Sequence, residues 1–320
     1  MNTPSSVFEI IHETLRDPEM TLSVTELCRL AGVSHSGYYN WVKSAPKRAE
    51  KELADRNDFE LIQKAYQYRG YQKGIRGIHM RLLHEGIQMN PKKISRLMHK
   101  YGLICPIRKA NPYRRMAKAM KTNHIAGNLL NREFESHGPR MVLLTDITYI
   151  RYGETFAFLS TILDAFTKQV LSHVLSPNLE VDFVLQTVNQ LVEKHGVALS
   201  KETLIHSDQG SHYTSFQFIR LVKDSNLRQS MSRRGNCWDN APQESFFGHM
   251  KDELADKMKT WECFEDVKQD VDDWIDYYNN DRYQWPLAKL SPNQYYDYIT
   301  TGEYPLSGLL PEPSPRGSAP

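Results

Sequence analysis

Residues 141–150 read MVLLTDITYI, a run of apolar and β-branched residues that follows a basic stretch of the chain. Two further runs of this kind follow, TFAFLSTILDAF at 155–166 and QVLSHVLS at 169–176. Such runs, separated by turn-forming residues, predict three consecutive β-strands. An amphipathic helix over 181–195 comes next, then a strand in TLIHSD, a helix, and a strand in LRQSMS. This order predicts an α/β fold, a mixed sheet flanked by helices.

Three carboxylates lie within a strand, at a strand end and at a helix start of this predicted fold, and strand ends and helix starts are where α/β sheets bind ligands. Asp146 interrupts the first strand, Asp208 ends the fourth, and Glu244 follows Pro242 in the first turn of a predicted helix. Each acid alone has an ordinary explanation, as a turn former or an acid favoured by the helix dipole. Together they are hard oxygen ligands that suit Mg²⁺ or Mn²⁺ rather than zinc. Two such ions about 4 Å apart would clamp both oxygens of a phosphodiester displacement.

The N-terminal residues 22–43, LSVTELCRLAGVSHSGYYNWVK, have the pattern of a helix, a turn and a second helix. Ser23 and Glu26 fit a capping box, Gly32 can end the first helix, and Ser34 can cap the second. This pattern is typical of a helix-turn-helix unit whose second helix enters the DNA major groove. Short helix pairs also occur as plain structure, so the segment alone leaves both interpretations open.

The charge of the chain is divided between its two parts. The net charge is +2, but residues 1–138 carry 23 basic and 13 acidic side chains, a balance of +10, and the remainder carries −8. The stretch Arg69–Lys121 holds 14 basic residues and a single acid, Glu85. A charge run is usually a solvated surface, yet this one overlaps predicted helices, which favours a nucleic-acid partner.

Two helices are predicted within this basic stretch. One spans residues 75–84, and the other begins at Asn90-Pro91, an N-cap followed by proline, and ends at Gly102. The apolar side chains of the second helix have the spacing of a buried face. We predict that its opposite face and the basic linker at 106–124 contact phosphates through Lys92, Lys93, Arg96, Lys100, Arg114 and Arg115.

Composition and cysteine usage favour a cytoplasmic protein with no membrane partner. The chain has 320 residues, 40% of them hydrophobic, and no run approaches the ~18 apolar residues of a membrane helix. The N-terminus lacks the pattern of a secretory signal. The four cysteines lie far apart without a C-x-x-C pair, which predicts reduced thiols and argues against a zinc ribbon.

The sequence around the three acids resembles a known family. The gap of 35 residues between Asp208 and Glu244 resembles the D-D-35-E signature of retroviral-integrase-like transposases. TDITYI, HSDQGSHY and NCWDNAPQESFFGHMKDEL are similar to motifs of the insertion-sequence-three family of bacterial transposases. So are GYQKGIRGIHMRLLHEGIQMNPKKISRLMHKYGLICPIRK upstream and YYNNDRYQWPLAKLSPNQYY downstream. Together these segments cover most of residues 20–298 in the family's order.

The resemblance implies a ribonuclease-H-like core in which Asp146, Asp208 and Glu244 are the catalytic acids and the ligands of two Mg²⁺ or Mn²⁺ ions. It also implies that Lys251, two helical turns after Glu244, contacts terminal DNA, and that Asn240 does so beside the third acid.

Three further positions are read from the resemblance. Asp239 also matches a position beside the third acid, with a less defined role. Asp164 fits the family pattern and is interpreted as structural. The family commonly has tryptophan three residues before the first acid, where this chain has Leu143, a packing position.

The activity that follows is metal-dependent phosphoryl transfer on DNA. Water would cut at the end of the element, and the released 3′-OH would attack another phosphodiester in line. The resemblance implies double-stranded DNA partners (terminal inverted repeats and target), a homo-oligomer of at least two chains, and a bacterial, nucleoid-associated location. The chain resembles the product of the family's downstream reading frame. This resemblance implies that the protein of the upstream frame is a further partner.

Two rival functions remain open. One is a DNA-binding regulator with a degenerate catalytic core, and the other is a nuclease without joining activity. The organisation predicted for the chain has five segments: a helix-turn-helix region (1–66), a basic helical DNA-binding element and linker (67–138), a catalytic core (139–260), a C-terminal helical region (261–305) and a disordered tail (306–320).

Overall fold

The computed structural model describes residues 4–106, 137–232, 241–311 and 313, and the structural statements below concern these residues. The chain divides into two compact units, Met1–Gln63 and Lys64–Pro320. Among the described helices, none combines the length and apolar character needed to cross a bilayer. The cysteines within these ranges, Cys28, Cys105 and Cys263, form no disulfide with one another.

The first unit is built from helices capped where the sequence predicts. Their bounds are α1 (Pro4–Thr14), α2 (Val24–Leu30) and α3 (His35–Lys43), and α4 (Ala45–Gln67) begins in this unit and ends in the second. The Ser23 hydroxyl accepts a hydrogen bond from the Glu26 amide, and the Glu26 carboxylate accepts one from the Ser23 amide at 2.8 Å. This confirms the predicted capping box, and Ser34 caps α3 as predicted. The first three helices share a small core of Phe8, Ile11, Cys28 and Tyr38.

The two predicted basic helices open the second unit, as α5 (Ile75–His84) and α6 (Pro91–Lys100). The Asn90 side chain accepts a hydrogen bond from the Lys92 amide at 2.8 Å and so caps α6. Gly102 follows the end of α6 with φ +69°, a conformation that favours glycine. Both helix boundaries predicted from the Asn-Pro and glycine positions are therefore confirmed.

A five-stranded mixed sheet lies at the centre of the second unit, with strand order β3-β2-β1-β4-β5. The strands are β1 (Val142–Tyr152), β2 (Thr155–Asp164), β3 (Val170–Ser176), β4 (Leu204–Ser207) and β5 (Arg228–Met231). β1, β2 and β3 pair antiparallel, while β4 lies parallel to β1 and β5 parallel to β4. Short turns can join the antiparallel strands, whereas the parallel strands need longer crossovers. The predicted mixed sheet is confirmed.

Helices cover both faces of this sheet. They are α7 (Val181–His195), α8 (Phe216–Asp224), α9 (Ala241–Leu254) and α10 (Phe264–Asn280). Alternate side chains of β1 enter two separate cores. Leu143 packs with residues of α7 and α8, while Leu144 and Ile150 pack with residues of α9 and α10. Even-numbered positions of β1 therefore face α9, and this decides which helix Asp146 meets.

The segment before α5 packs against α10 within the second unit. Tyr71 stacks on Tyr277 with ring centroids 4.5 Å apart. Arg69 forms ion pairs at 2.7–3.0 Å with the carboxylates of Asp273, Asp276 and Asp281. After α10, the last described helix, α11 (Pro292–Thr301), packs its tyrosines with Phe166. The basic element and the C-terminal helices thus belong to one compact unit, while the five segment boundaries stay a prediction.

Candidate active site

The strand register brings Asp146 and Asp208 to neighbouring positions. In the parallel pair of β1 and β4, Leu144 lies opposite His206. Asp146 and Asp208 are each two residues further along, and the charge of Asp208 acts on the pKa of Asp146, so the two acids lie within electrostatic range of each other. β4 ends at Ser207, so Asp208 lies where the chain leaves the carboxyl end of the strand. This is the edge at which α/β sheets bind ligands.

Asp146 is a half-buried acid among like charges. Its Oδ1 accepts a hydrogen bond from the Ile147 amide at 2.8 Å. Burial raises the pKa of the Asp146 carboxyl to about 7, against the opposing effect of the Ile147 hydrogen bond. The negative charges of Asp208 and Glu244 raise the same pKa further. A negative charge on Asp146 is therefore costly unless a cation is near.

The helix α9 carries Glu244 on the side of the sheet that Asp146 faces. Glu244 lies in the first turn of the helix, as Pro242 predicts, and its side chain is exposed. Buried Phe246 and Met250 anchor α9 in the core that contains Leu144. The charge of Glu244 acts on the pKa of Asp146, so the third acid lies within electrostatic range of the first.

Gln243 makes a contact that sequence reasoning missed. Its side chain is fully buried, and its Nε2 donates a hydrogen bond to the Thr161 hydroxyl. Thr161 is the partner of Asp146 across the β1–β2 pair. Gln243 therefore ties the first turn of α9, and Glu244 with it, to the strands that hold Asp146. The only available signal was a glutamine beside the third acid, which does not tell where the amide points.

Tyr213 is a second residue that sequence reasoning missed. It is buried, and its hydroxyl lies 3.4 Å from Thr145 Oγ1, next to Asp146 in the chain. Its carbonyl accepts a hydrogen bond from Gln229 of β5 at 2.9 Å. Asp208 itself accepts a hydrogen bond from the Gly210 amide at 2.9 Å. These contacts anchor the loop after Asp208 to the sheet.

Lys251 lies on α9 two turns after Glu244, as the spacing predicts, and is half-buried. Burial lowers the pKa of its ammonium group, and the charge of Asp146 opposes that effect. The lysine is therefore a cation within electrostatic range of Asp146, and its charge lowers the pKa of that acid. Its predicted contact with terminal DNA stays a prediction.

Asp164 is a structural acid, as interpreted from the sequence. Its side chain is fully buried, and Oδ2 accepts hydrogen bonds from the Arg140 amide at 3.0 Å and from Arg140 Nη1 at 2.9 Å. Oδ1 accepts a hydrogen bond from the Phe166 amide at 2.9 Å. Both carboxylate oxygens of Asp164 therefore accept hydrogen bonds that hold Arg140, before β1, and Phe166, after β2, in place.

Within the described ranges, no group of three or more Asp, Glu, His or Cys side chains is gathered closely enough to hold a metal ion. Asp146 instead interacts with Asp208 and Glu244 through space. The assignment of these acids as metal ligands and catalytic residues therefore stays a prediction.

The basic side chains predicted to contact DNA are only partly described. On α6, Ile94 and Leu97 are buried, and Lys92, Arg96 and Lys100 are exposed with Lys93 half-exposed. The helix therefore presents its cations opposite its apolar face, as predicted. The remaining predicted positions lie outside the described residues: Arg114, Arg115, Asp239 and Asn240.

Family models match the part of the sequence that contains the three acids. A model described as an integrase core domain matches residues 136–237, which include Asp146 and Asp208, and a second integrase core model matches 244–298, beginning at Glu244. An uncharacterised transposase-like protein of Haemophilus influenzae is 34% identical over 215 residues, 67% of this chain and 95% of that protein. The transposase InsF of insertion sequence IS3A from Escherichia coli is 26% identical over 281 residues, 85% of this chain and 93% of InsF.

This chain is a transposase of the insertion-sequence-three family. The transposase is also 28% identical over 270 residues to a 31 kDa protein of insertion element IS600 from Shigella sonnei, covering 83% of this chain and 96% of that protein. Among solved structures, the catalytic core of BIV integrase is 16% identical with a TM-score of 0.41, covering 51% of this chain and 99% of that core.

A third family model, an HTH-like domain, matches residues 52–111 of the transposase. This range includes α5 and α6 rather than the α2–α3 pair. The helix-turn-helix arrangement predicted for residues 22–43 is present as two capped helices, and its role in reading DNA stays a prediction.

Proposed function

We propose that this transposase cuts DNA at the terminal inverted repeats of an insertion sequence and joins the ends to a target, with Asp146, Asp208 and Glu244 as its catalytic acids. The electrostatic effect of Asp208 on Asp146 carries the proposal, and the parallel register of β1 and β4 supports it, because Leu144 and His206 are partners two residues before the two acids. The effect of Glu244 on the pKa of Asp146 supports its inclusion as the third acid.

The residues fit a divalent cation of the Mg²⁺ or Mn²⁺ class. All three side chains offer carboxylate oxygens, which such hard cations prefer over nitrogen or sulfur ligands. Burial and like charges make ionised Asp146 costly, and a cation would offset that cost. When bound, two such ions would make water a stronger nucleophile and stabilise charge on the leaving oxygen.

The side chains around the acids have separate tasks in this proposal. Gln243 keeps the first turn of α9 against β2 and so positions Glu244. Lys251 attracts a phosphate of terminal DNA from the same face of α9. Water attacks in the cutting step and a DNA 3′-OH attacks in the joining step, with the bond to the leaving oxygen broken in line each time. A Ser, Tyr or Cys nucleophile is therefore not needed.

The DNA contacts and the assembly belong to the same proposal. The exposed cations of α6 neutralise phosphates, and the HTH-like match over residues 52–111 supports a DNA-binding role for this segment. Two DNA ends have to be joined, so we propose an assembly of at least two chains acting on nucleoid DNA, with an upstream-frame protein as a further partner. The remaining proposed DNA contacts are Arg114, Arg115 and Asn240.

A joining assay separates this proposal from its rivals. Labelled terminal-repeat DNA and a target plasmid are incubated with the transposase in Mg²⁺ or Mn²⁺, and products are resolved on a denaturing gel. We expect both cut ends and products in which a repeat end is linked to the target. Cut ends without linked products would favour a nuclease, and binding without cutting would favour a regulator.

Replacing Asp146 with asparagine should stabilise the metal-free protein at neutral pH. The pKa of Asp146 lies near 7 in the folded chain and near its usual value of 3.8 when unfolded. Between these values the folded state holds more protons, so wild-type stability falls as pH rises through this window. The Asp146→Asn variant lacks this dependence, and its amide side chain keeps an oxygen for the Ile147 amide.

We expect the difference in unfolding free energy to be small at pH 4 and to reach on the order of 1–3 kcal/mol in favour of the variant at pH 8. Urea unfolding in EDTA at both pH values measures it. Asp297→Asn, a change at an exposed acid of α11, is the control and should show no such trend. A pH-independent difference would contradict the raised pKa.

A further inference from the structure

A cavity of about 600 Å³ lies in the second unit, between the start of α5 and the loop that follows α10. Lys73 and Arg76 lie on one side, and Tyr283 and Trp285 lie on the other. None of the three proposed catalytic acids is among the described residues that line it. The cavity is therefore a different part of the surface from the proposed active site.

Trp285 is held at this cavity with much of its indole in solvent. It is 46% exposed, whereas Trp261 and Trp274 are 5% and 0% exposed. The loop that carries it is closed by a hydrogen bond from the Gln284 amide to the Leu290 carbonyl at 2.9 Å, and Leu290 is fully buried. Exposing a large aromatic group on a firmly anchored loop suggests a surface for a ligand.

Two cations lie over the partly exposed indole, and a third lines the cavity. The Arg76 guanidinium lies over the Trp285 ring at 5.7 Å from its centroid, and Lys289 Nζ lies over it at 5.1 Å. The His79 ring is tilted against the indole, with ring centroids 6.3 Å apart. Lys73, only 8% exposed, donates hydrogen bonds to the carbonyls of Tyr68 and Tyr71 at 2.9 and 2.8 Å. An aromatic platform beside cations is the combination that proteins use to hold unstacked nucleotides.

The acids that line the cavity are already paired with arginines. Glu253 accepts a hydrogen bond from Arg282 Nη2 at 2.8 Å, and Asp281 pairs with Arg69 at 3.0 Å. Their charges are therefore matched within the protein. Arg76 and Lys73 add positive charge at the cavity, which favours an anionic ligand over a cationic one.

We propose that this cavity binds an unpaired nucleotide of the DNA substrate, its base stacked on Trp285 and its phosphate near Arg76 and Lys289. The proposal rests on the transposase function proposed above. In a duplex both faces of a base are covered by its neighbours, so an indole on a tight loop reaches a base face only where a strand is unpaired. Transfer of one strand into a duplex displaces a strand end, which supplies such a nucleotide.

Binding in EDTA tests the site without catalysis, so a failure of the proposed catalytic acids leaves the result unaffected. The probes are a labelled single strand of ten thymidines, a ten-residue abasic strand and a blunt duplex, each titrated against wild-type protein. The variants are Trp285→Ala and Trp285→Phe. Phe216→Ala, which removes a 75% exposed aromatic of α8, is the matched control.

We expect Trp285→Ala to weaken binding of the thymidine strand about tenfold or more, since one stacked base contributes that much. Trp285→Phe should keep most of the affinity, and abasic-strand and duplex binding should change less than about twofold. Arg76→Ala should lower the slope of log affinity against log salt by about 0.7 for the thymidine strand.

Tryptophan fluorescence gives a second readout in folded protein. The thymidine strand should quench the wild type, and this quenching should be largely lost in Trp285→Phe but kept in Phe216→Ala. Equal loss of strand and duplex binding in Trp285→Ala, or unchanged quenching in Trp285→Phe, would overturn the proposal.

Discussion

Replacing Asp208 with asparagine should abolish cutting and joining of terminal-repeat DNA and leave DNA binding almost unchanged. Asparagine keeps the shape of the side chain and an oxygen that can accept the hydrogen bond from the Gly210 amide, which is 2.9 Å long in the wild type. The loop after β4 is therefore preserved. The substitution removes one negative charge from the proposed cation ligands, so the cations should bind less well. Divalent cations stabilise the transition state of such reactions by several kcal/mol. The rate should fall by roughly a thousandfold or more.

The gel assay for cut and joined products measures this effect, and fluorescence anisotropy with the same DNA measures binding. Glu244→Gln should behave in the same way, whereas Asp297→Asn, at an exposed acid on α11, should retain wild-type rates. If the Asp208→Asn variant cut DNA within tenfold of wild type, the assignment of this acid would be wrong. Loss of binding along with cutting would point to a misfolded loop instead.

Replacing Asp164 with alanine should lower the free energy of unfolding more than any other substitution proposed for this protein. The ion pair between Asp164 and Arg140 is buried, with side-chain exposures of 0% and 7%. Alanine leaves the Arg140 guanidinium without its carboxylate, and it leaves the Arg140 and Phe166 amides without their acceptors. Removing one partner of a buried pair costs about 3–5 kcal/mol. For a protein of this size that is a fall in Tm of roughly 6–20 °C.

Urea and thermal unfolding followed by circular dichroism test this prediction. Glu202→Ala is the matched control, because it breaks the ion pair with Arg228, whose side chains are 70% and 52% exposed. That change should cost less than about 1 kcal/mol. An Asp164→Ala variant as stable as the Glu202→Ala variant would show that the buried pair contributes little.

Much of the local structure was predictable because its causes lie within a few residues of each other. The capping box of Ser23 and Glu26, the Asn90-Pro91 start of α6 and the position of Glu244 after Pro242 each depend on one turn of chain. The apolar runs likewise predicted the strands, since alternation and β-branching are local properties. The grouping of Asp146, Asp208 and Glu244 into one site was predicted from the resemblance of their motifs, and of the 35-residue gap between Asp208 and Glu244, to those of a known family.

Contacts between distant parts of the chain were not predictable in this way. Gln243 and Thr161 are 82 residues apart, and Arg69 and Asp273 are 204 residues apart. No periodicity within a single helix or strand tells which elements will meet, because that choice depends on how whole elements pack. The positioning contact at Gln243 and the packing of the basic segment on α10 therefore became visible only in the folded chain.

The location of Mn²⁺ in crystals of the transposase bound to terminal-repeat DNA would show which side chains hold the proposed catalytic metal. Anomalous scattering identifies the ion independently of its surroundings. We predict Mn²⁺ bound by carboxylate oxygens of Asp146, Asp208 and Glu244, next to the phosphate at the end of the repeat. Ordered Mn²⁺ beside that phosphate but held by other side chains would rule out these three acids as the metal ligands.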